Sequence, residues 1–243
     1  MRRIGDAAAS GVAASAGSAA GGVIWKDLAQ LKAEGLSPMD VRFDHIVVAV
    51  SNLAGAVHNV KQHWGFEARG GGRHDGAGTQ NAIVPLGHSY LELVTVIDET
   101  EARGHGFGLL VLEALEQGRA LGGWAVAVTE SPSVEGQRLT RNGVDVMLFG
   151  LDEAKSEPGR PFFLYRAPGQ GTPGALEAGE PHWHASTLRV GGAALPIGLE
   201  TAPRGDTRVE LVEGTPRGTI HELELTRQDG LHLLLNEECL RTL

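Results

Sequence analysis

Apolar residues follow a strand–helix–strand pattern that begins at residue 42. RFDHIVVAV (42–50) is a β-branched run of strand length. In residues 53–64 the apolar side chains recur at helical spacing, and Gly65 then predicts the end of that helix. Three strand patterns separated by glycine-rich turns follow, at 65–70, 80–87 and 89–96. Residues 42–97 therefore predict one β-α-β-β-β unit.

The same order of elements returns further along the chain. A helix predicted over 105–117 links the first unit to a second one at 123–166. The second unit is predicted to consist of a strand, a capped short helix and two more strands, at 123–130, 131–143, 145–150 and 161–166. Its last two strands flank a loop at 151–160. From residue 182 to 243, four more strand patterns predict a third, degraded copy with scarcely any helix.

These repeats predict an α+β fold in which βαβββ modules form curved mixed sheets around a small-molecule cleft. A sheet of about four strands exposes one apolar face, and two such sheets side by side can curve around a shared cleft. We divide the chain into an N-terminal extension (1–38), mostly disordered with a short helix, a two-unit domain (39–181) and the third unit (182–243).

Composition narrows the classes of partner. The net charge is −9 and the chain has no basic run, which argues against nucleic acid and anionic membrane surfaces as partners. No stretch approaches the roughly 20 apolar residues of a membrane span. The single cysteine, Cys239, cannot form an intramolecular disulfide. We therefore expect a cytoplasmic protein with a small-molecule ligand, and a homodimer stays open as its oligomeric form.

Five segments resemble the glyoxalase-like families of the vicinal oxygen chelate superfamily. They are FDHIVVAVSNL, GGRHDGAGTQNAIVPLG, YLELV, GWAVAVTE and PFFLYR, which fall within residues 42–166. The resemblance implies paired βαβββ units with a divalent metal held between them by side chains of the first and fourth strands. It leaves the reaction open, because the superfamily includes isomerases, lyases, dioxygenases, epimerases and antibiotic-binding proteins.

The positions that match this metal motif in the first unit are His45 and Glu92. Imidazole nitrogen and carboxylate oxygen suit Zn, Mn, Fe, Co or Ni. Strand alternation places Phe43 and His45 on one face, and Tyr90 and Glu92 on one face. A buried His–Glu pair without metal is the alternative interpretation. The second unit offers no good ligand, since its matching positions are Gly123 or Trp124 and Leu164 or Tyr165.

Other polar residues extend the candidate site. Weaker metal candidates are His182, His184 and His232. Within the glycine-rich segment 71–81, the predicted substrate-binding residues are Arg73, His74, Thr79 and Asn81. Glycines let a ligand approach the backbone, and arginine can hold a carboxylate or phosphate through two parallel hydrogen bonds. The alternative is a hairpin turn whose glycines only allow the positive φ angles of the turn and have no role in ligand binding.

Two functions remain open, and no residue is assigned as catalytic. The retained His45–Glu92 pair favours a metal-assisted lyase, isomerase or dioxygenase that acts on a small oxygen-rich molecule. The incomplete second unit favours a metal-free protein that binds or sequesters a small molecule.

Overall fold

A computed structural model of the chain describes residues 41–176, 183–192, 207–213 and 218–243. The N-terminal extension and His182 lie outside these residues. Within the described ranges, no helix has both the length and the apolar character that a membrane span requires.

The first unit forms in the predicted order. Its elements are strand β1 (Val41–Ala49), helix α1 (Leu53–Trp64), and strands β2 (Arg69–Asp75), β3 (Thr79–Pro85) and β4 (Tyr90–Val96). Asn52 caps α1 by accepting a hydrogen bond from the backbone N–H of Gly55, and Gly65 ends the helix in the left-handed conformation. Strand β2 extends through most of the segment that was expected to be a turn, because the turn itself occupies only residues 76–78.

The link between the units is a pair of helices, α2 (Glu99–Gly104) and α3 (Gly106–Glu116). The second unit then consists of β5 (Leu121–Val128), β6 (Gln137–Arg141), β7 (Val144–Phe149), α4 (Leu151–Ser156) and β8 (Phe162–Arg166).

The second unit differs from the sequence prediction in the place of its helix. The helix predicted over 131–143 is wrong, since this stretch contains strand β6, and a helix forms instead within the predicted loop 151–160. The reason is the dipeptide Asn142–Gly143. Both residues have positive φ angles, 52° and 76°, and such a pair makes the tight turn of a two-residue hairpin between β6 and β7.

The eight strands of the two units close into one barrel with the order β1-β4-β3-β2-β6-β7-β8-β5. In each unit the first strand lies parallel to the fourth, so β1 pairs with β4 and β5 pairs with β8. The units join through two antiparallel contacts, β1 with β5 and β2 with β6. The predicted α+β class with curved mixed sheets is confirmed.

A separate four-stranded sheet follows the barrel. It contains β9 (Trp183–Val190), β10 (Arg208–Leu211), β11 (Ile220–Arg227) and β12 (His232–Asn236), and a short helix α5 (Glu237–Leu240) follows it. Its order is β10-β9-β11-β12, with β9 parallel to β10. This arrangement departs from the predicted third copy of the unit, because the first strand lies inside the sheet instead of at its edge.

Two groups of buried side chains lie on opposite faces of the barrel strands. The first group joins alternate residues of β1, such as Ile46 and Val48, to α1 and the separate sheet. The second contains Val47 and Ala49 with residues of α3, β5 and β8. Strand β1 is buried on both faces because it packs in the middle of the molecule. This position makes β1 the element that places the site.

Glu237 connects the C-terminal region to the barrel. Its carboxylate accepts hydrogen bonds from the backbone N–H groups of Ala120, at 2.6 Å, and Leu121, at 2.9 Å. Glu238 occupies the same first turn of α5 and is exposed.

We predict that Glu237→Ala lowers the free energy of unfolding by about 1–3 kcal/mol, because two part-buried N–H groups lose their acceptor. Urea denaturation followed by circular dichroism measures this change. Glu238→Ala is the matched control and should have little effect. Equal losses in the two variants would show that helix α5, and not this connection, accounts for the effect.

Candidate functional site

The strands of the barrel surround a cavity of about 390 Å³. The first unit contributes four polar side chains to it from β1, β2 and β4, namely His45, His74, Tyr90 and Glu92. The strands β6, β7 and β8 contribute a mainly apolar wall that includes Leu139, Val146, Leu148, Phe162 and Leu164. A volume of this size suits a small organic ligand.

A β-bulge at the start of β1 aims His45 into the cavity. Along the pairing with β5, Phe43 lies opposite Val126 and His45 lies opposite Ala125, so the register shifts between Phe43 and His45. Phe43 consequently packs in the first hydrophobic group while His45 lines the cavity. The expectation that these two residues share a face is therefore wrong, since simple alternation does not include the bulge.

Asp44 is fully buried and holds the back of the His45 ring. Its Oδ2 lies 2.7 Å from His45 Nδ1. Arg166, at the end of β8, donates to both carboxylate oxygens at 2.5 and 2.8 Å and to the hydroxyl of Tyr90 at 3.1 Å. Burial by itself would raise the pKa of Asp44, but the bonds from Arg166 and His45 hold that pKa well below its usual range.

On the cavity side, His45 faces Glu92. His45 Nε2 and Glu92 Oε2 are 3.3 Å apart, a distance that makes them an ion pair. The two groups are not aligned for a hydrogen bond, and among the described residues this buried nitrogen has no hydrogen-bond partner. His45 thus presents an unsatisfied polar atom to the cavity. The ring of Tyr90 stacks on the His45 ring, with centroids 4.6 Å apart.

The charges of this pair are set by their neighbours. Burial would lower the pKa of His45, but its contacts with Asp44 and Glu92 raise the pKa above the usual 6.5. Burial would raise the pKa of Glu92, but His45, and to a smaller extent His74, lower it to about 2. Below the raised pKa of His45 the site therefore holds a histidinium between two carboxylates, and Arg166 then makes the four-residue network electrically neutral.

His74 completes the polar side of the cavity. Its Nε2 lies 3.6 Å from Glu92 Oε1, and its Nδ1 lies 2.8 Å from the hydroxyl of Thr79. Burial lowers the pKa of His74, so this ring is neutral at pH 7. Asn81 donates a hydrogen bond to Glu92 Oε1. The structure thus brings together three of the four predicted substrate-binding residues: His74 lines the cavity, and Thr79 and Asn81 hold His74 and Glu92.

Arg73 does not join them. Its side chain lies on the outward face of β2, where the guanidinium donates to both carboxylate oxygens of Glu101 at 2.7 Å. Its side chain is 51% exposed, and Arg73 is not among the residues that line the cavity. Because neighbouring strand residues point to opposite faces, the inward position of His74 requires the outward position of Arg73.

The two weaker metal candidates within the described residues also lie elsewhere. His184 lines a different cavity beside Trp183. His232 is exposed on the separate sheet, with its Nδ1 2.9 Å from Glu224.

Four residues of the site were not found from the sequence: Asp44, Arg141, Phe162 and Arg166. An acidic residue inside the β-branched run 42–50 was a signal for Asp44, since such a residue is costly to bury without a partner. For Arg166 no local signal exists, because its partner Asp44 is 122 positions away in sequence.

The donor set does not fit a complete metal centre shared between the two units. The barrel register places Ala125 opposite His45 and Phe162 opposite Ala125. Ala125 and Phe162 are therefore the second-unit residues at the expected ligand positions, in place of the residues inferred from the sequence. Neither side chain can bind an ion, and the Phe162 ring lies 5.6 Å from the His45 ring. In the part of the chain that the structure describes, no group of three or more His, Cys, Asp or Glu side chains could hold a metal ion.

Comparison with known families agrees with this architecture. The profile of the glyoxalase-like domain matches residues 43–218, which is more than half of the chain. The chain belongs to the glyoxalase-like family. The resemblance seen in its strand motifs is thereby confirmed. No curated protein matches this glyoxalase-like chain.

Several solved structures are similar to it. A Staphylococcus aureus protein superposes with a TM-score of 0.51 and 14% identity, over 82% of this chain and 86% of that one. A methylmalonyl-CoA epimerase of Streptomyces coelicolor, in complex with 2-nitronate-propionyl-CoA, has a TM-score of 0.41 and 16% identity over 52% and 97% of the two chains. The Mycobacterium tuberculosis methylmalonyl-CoA epimerase gives 0.41 and 17% over 55% and 93%. At such identities the likeness concerns the fold alone.

We predict that the two cavity histidines titrate on opposite sides of pH 6.5. His45 should keep its proton above this pH and His74 should lose its proton below it. The stabilising contribution of charged His45 is then complete below pH 6.5 and is lost as the pH rises through its raised pKa. Proton NMR of the imidazole C–H signals measures both midpoints, with His45→Gln and His74→Gln spectra for assignment. A shared midpoint near 6.5 would contradict the charge state described for the site.

Proposed function

We propose that this protein is an enzyme that transfers a proton at a carbon next to a carbonyl group of a small oxygen-rich molecule, as isomerases and lyases do. The observation that supports this proposal is the His45–Glu92 pair, an imidazole of raised pKa and a carboxylate 3.3 Å apart that both line one cavity. Such a pair can polarise an oxygen and remove a neighbouring proton at the same time.

His45 would act on the oxygen of the ligand. Asp44 occupies Nδ1, which leaves the N–H at Nε2 directed at the cavity without a hydrogen-bond partner among the described residues. A carbonyl oxygen placed there would accept this hydrogen bond. As negative charge develops on that oxygen, the histidinium would stabilise it, and a fixed charge in an apolar cavity does so more strongly than water.

Glu92 would act on the carbon-bound proton. Asn81 fixes Oε1, so Oε2 is the oxygen that remains for the ligand. The pKa of Glu92 is low mainly because His45 contacts it, and a ligand oxygen that engages Nε2 would weaken this contact and raise the basicity of Glu92. The proton would move to Glu92, and the electron pair of the C–H bond would move toward the carbonyl oxygen. Return of the proton to the opposite face of the carbon or to another atom gives an isomer. If the electron pair instead expels a group on the next carbon, which leaves with its bonding electrons, the result is an elimination.

Metal assistance through His45 and Glu92 stays a separate prediction. Zn, Mn, Fe, Co or Ni would need further donors, and Ala125 and Phe162 supply none. The proton transfer proposed above uses only side chains of this chain.

The second candidate is a binding or sequestering protein of the same fold. The observation that favours it is the wall formed by β6, β7 and β8, where Leu139, Leu148 and Leu164 line the cavity and provide contact area without chemistry. The two candidates predict different effects of the same substitutions.

We predict that the native protein accelerates exchange of the hydrogen next to the carbonyl group in phenylpyruvate, 2-oxobutanoate or 4-methyl-2-oxopentanoate dissolved in D2O. His45→Gln and Glu92→Gln should each reduce this rate about 10²–10⁴-fold, as expected for loss of an acid–base group. Proton NMR follows the loss of the signal. His63→Gln and Glu101→Gln, both on the outer surface, are controls. Binding of these compounds without exchange would favour the binding protein.

We predict that, if His45 and Glu92 form a metal half-site, Zn²⁺, Mn²⁺ or Ni²⁺ raises the melting temperature in a way that depends on both residues, whereas the metal-free mechanism gives no such increase. An ion bound only by the folded state would raise this temperature by mass action. Differential scanning fluorimetry of protein without a polyhistidine tag compares the native chain with His45→Gln and Glu92→Gln. An increase that both substitutions abolish would establish the metal half-site and overturn the metal-free mechanism.

A further inference from the structure

Arg141 is a cation at the edge of the cavity that forms no ion pair with a carboxylate of the described residues, although its charge contributes to lowering the pKa of Glu92. It is the last residue of β6, pairs with His74 across the β2–β6 contact, and lines the cavity. Among the described residues its guanidinium has neither an ion-pair nor a hydrogen-bond partner. The other arginine of the cavity, Arg166, is neutralised by Asp44. The neighbouring Arg138 lies outside the cavity and pairs with Asp145.

The cavity has a deep end and a mouth, and Arg141 belongs to the mouth. At the deep end, His45 and Glu92 are 3% and 4% exposed. Val144 also lines the cavity, across the hairpin turn from Arg141, yet it is 49% exposed. The hairpin tip that carries Arg141 therefore lies at a solvent-facing end of the cavity.

Between these two ends, the wall of the cavity is apolar. Val146, Leu148 and Leu164 come from neighbouring strands β7 and β8 and face the same space. Burying the hydrocarbon part of a ligand against them contributes roughly 25 cal/mol per Å² of apolar surface removed from water.

A second unsatisfied polar atom belongs to a residue that lines the cavity. The segment 170–173 follows β8 and contributes to the lining, and the side-chain oxygen of Gln170 is buried without a hydrogen-bond partner among the described residues. A buried carbonyl oxygen of this kind requires a donor. A hydroxyl or N–H group of the ligand would provide it.

We propose that the ligand of this cavity is a small anionic amphiphile. Its acidic group binds Arg141 at the mouth, its apolar body lies against β7 and β8, and its inner oxygen reaches His45. This assignment of a ligand class builds on the proposed function, because it takes the same cavity as the reactive site. Arg141 thus has the role of the anion-binding arginine that the sequence had suggested for Arg73.

Two fluorescent probes that differ in one charge test the assignment. Anilinonaphthalene sulfonate is an aromatic anion, and N-phenylnaphthylamine has the same ring system without the sulfonate. We expect Arg141→Leu and Arg141→Gln to weaken binding of the sulfonate about tenfold or more, since a charge-assisted contact is lost. Binding of the neutral probe should stay within about twofold of the native value. Arg138→Leu, on the same strand and outside the cavity, is the matched control and should change neither affinity.

A cavity-filling variant locates the probes. Val146→Trp should weaken both of them, because the added ring occupies the space between the two ends. The proposal is overturned if Arg141 variants bind the sulfonate as the native protein does, if they weaken both probes equally, or if the folded native protein binds neither. These outcomes are separate from the exchange reaction: loss of exchange in His45→Gln with unchanged probe binding in Arg141→Leu would remove this inference and leave the proposed function standing.

Discussion

The site depends on one buried ion pair, the contact between Asp44 on β1 and Arg166 on β8. These residues belong to different repeat units. The side chain of Asp44 is fully buried and that of Arg166 is mostly buried. Removing one partner of such a pair leaves an uncompensated charge, which typically costs about 3–5 kcal/mol. Asp44 in turn holds the ring of His45, and His45 holds Glu92 as an ion. The orientation and the charge of His45 and Glu92 therefore follow from a contact between the two halves of the barrel.

The two units share a strand order but contribute different kinds of side chain to the cavity. The first provides His45, His74 and Glu92, while the second provides a mainly apolar wall and the two arginines at its strand ends, Arg141 and Arg166. Fold membership alone does not decide a reaction, because sites vary within one architecture. In this chain the second unit departs from the paired metal site at two positions. Ala125 and Phe162 occupy places where a metal shared between the units would need donors.

An apolar wall opposite a charged pair also has an energetic consequence. Low polarity strengthens electrostatic interactions, so one hydrogen bond from His45 acts more strongly on a ligand oxygen than it would in water. The same low polarity makes unpaired polar atoms costly, and His45 Nε2 and the Gln170 oxygen are both unsatisfied within the described structure. A ligand that satisfies both atoms would gain from two sources at once, hydrogen bonding and apolar burial.

The sequence by itself determined the first unit and the repeated plan, because strand and helix periodicities are local properties of a chain. The pairing of His45 with Glu92 was implied by the resemblance of the strand motifs to the glyoxalase-like families. The sequence did not determine the bulge at Asp44, the outward side of Arg73 or the helix position in the second unit. Each of these is decided by which strand lies alongside and in what register. The partnership of Asp44 with Arg166 is the extreme case, since only closure of the barrel brings residues 122 positions apart into contact.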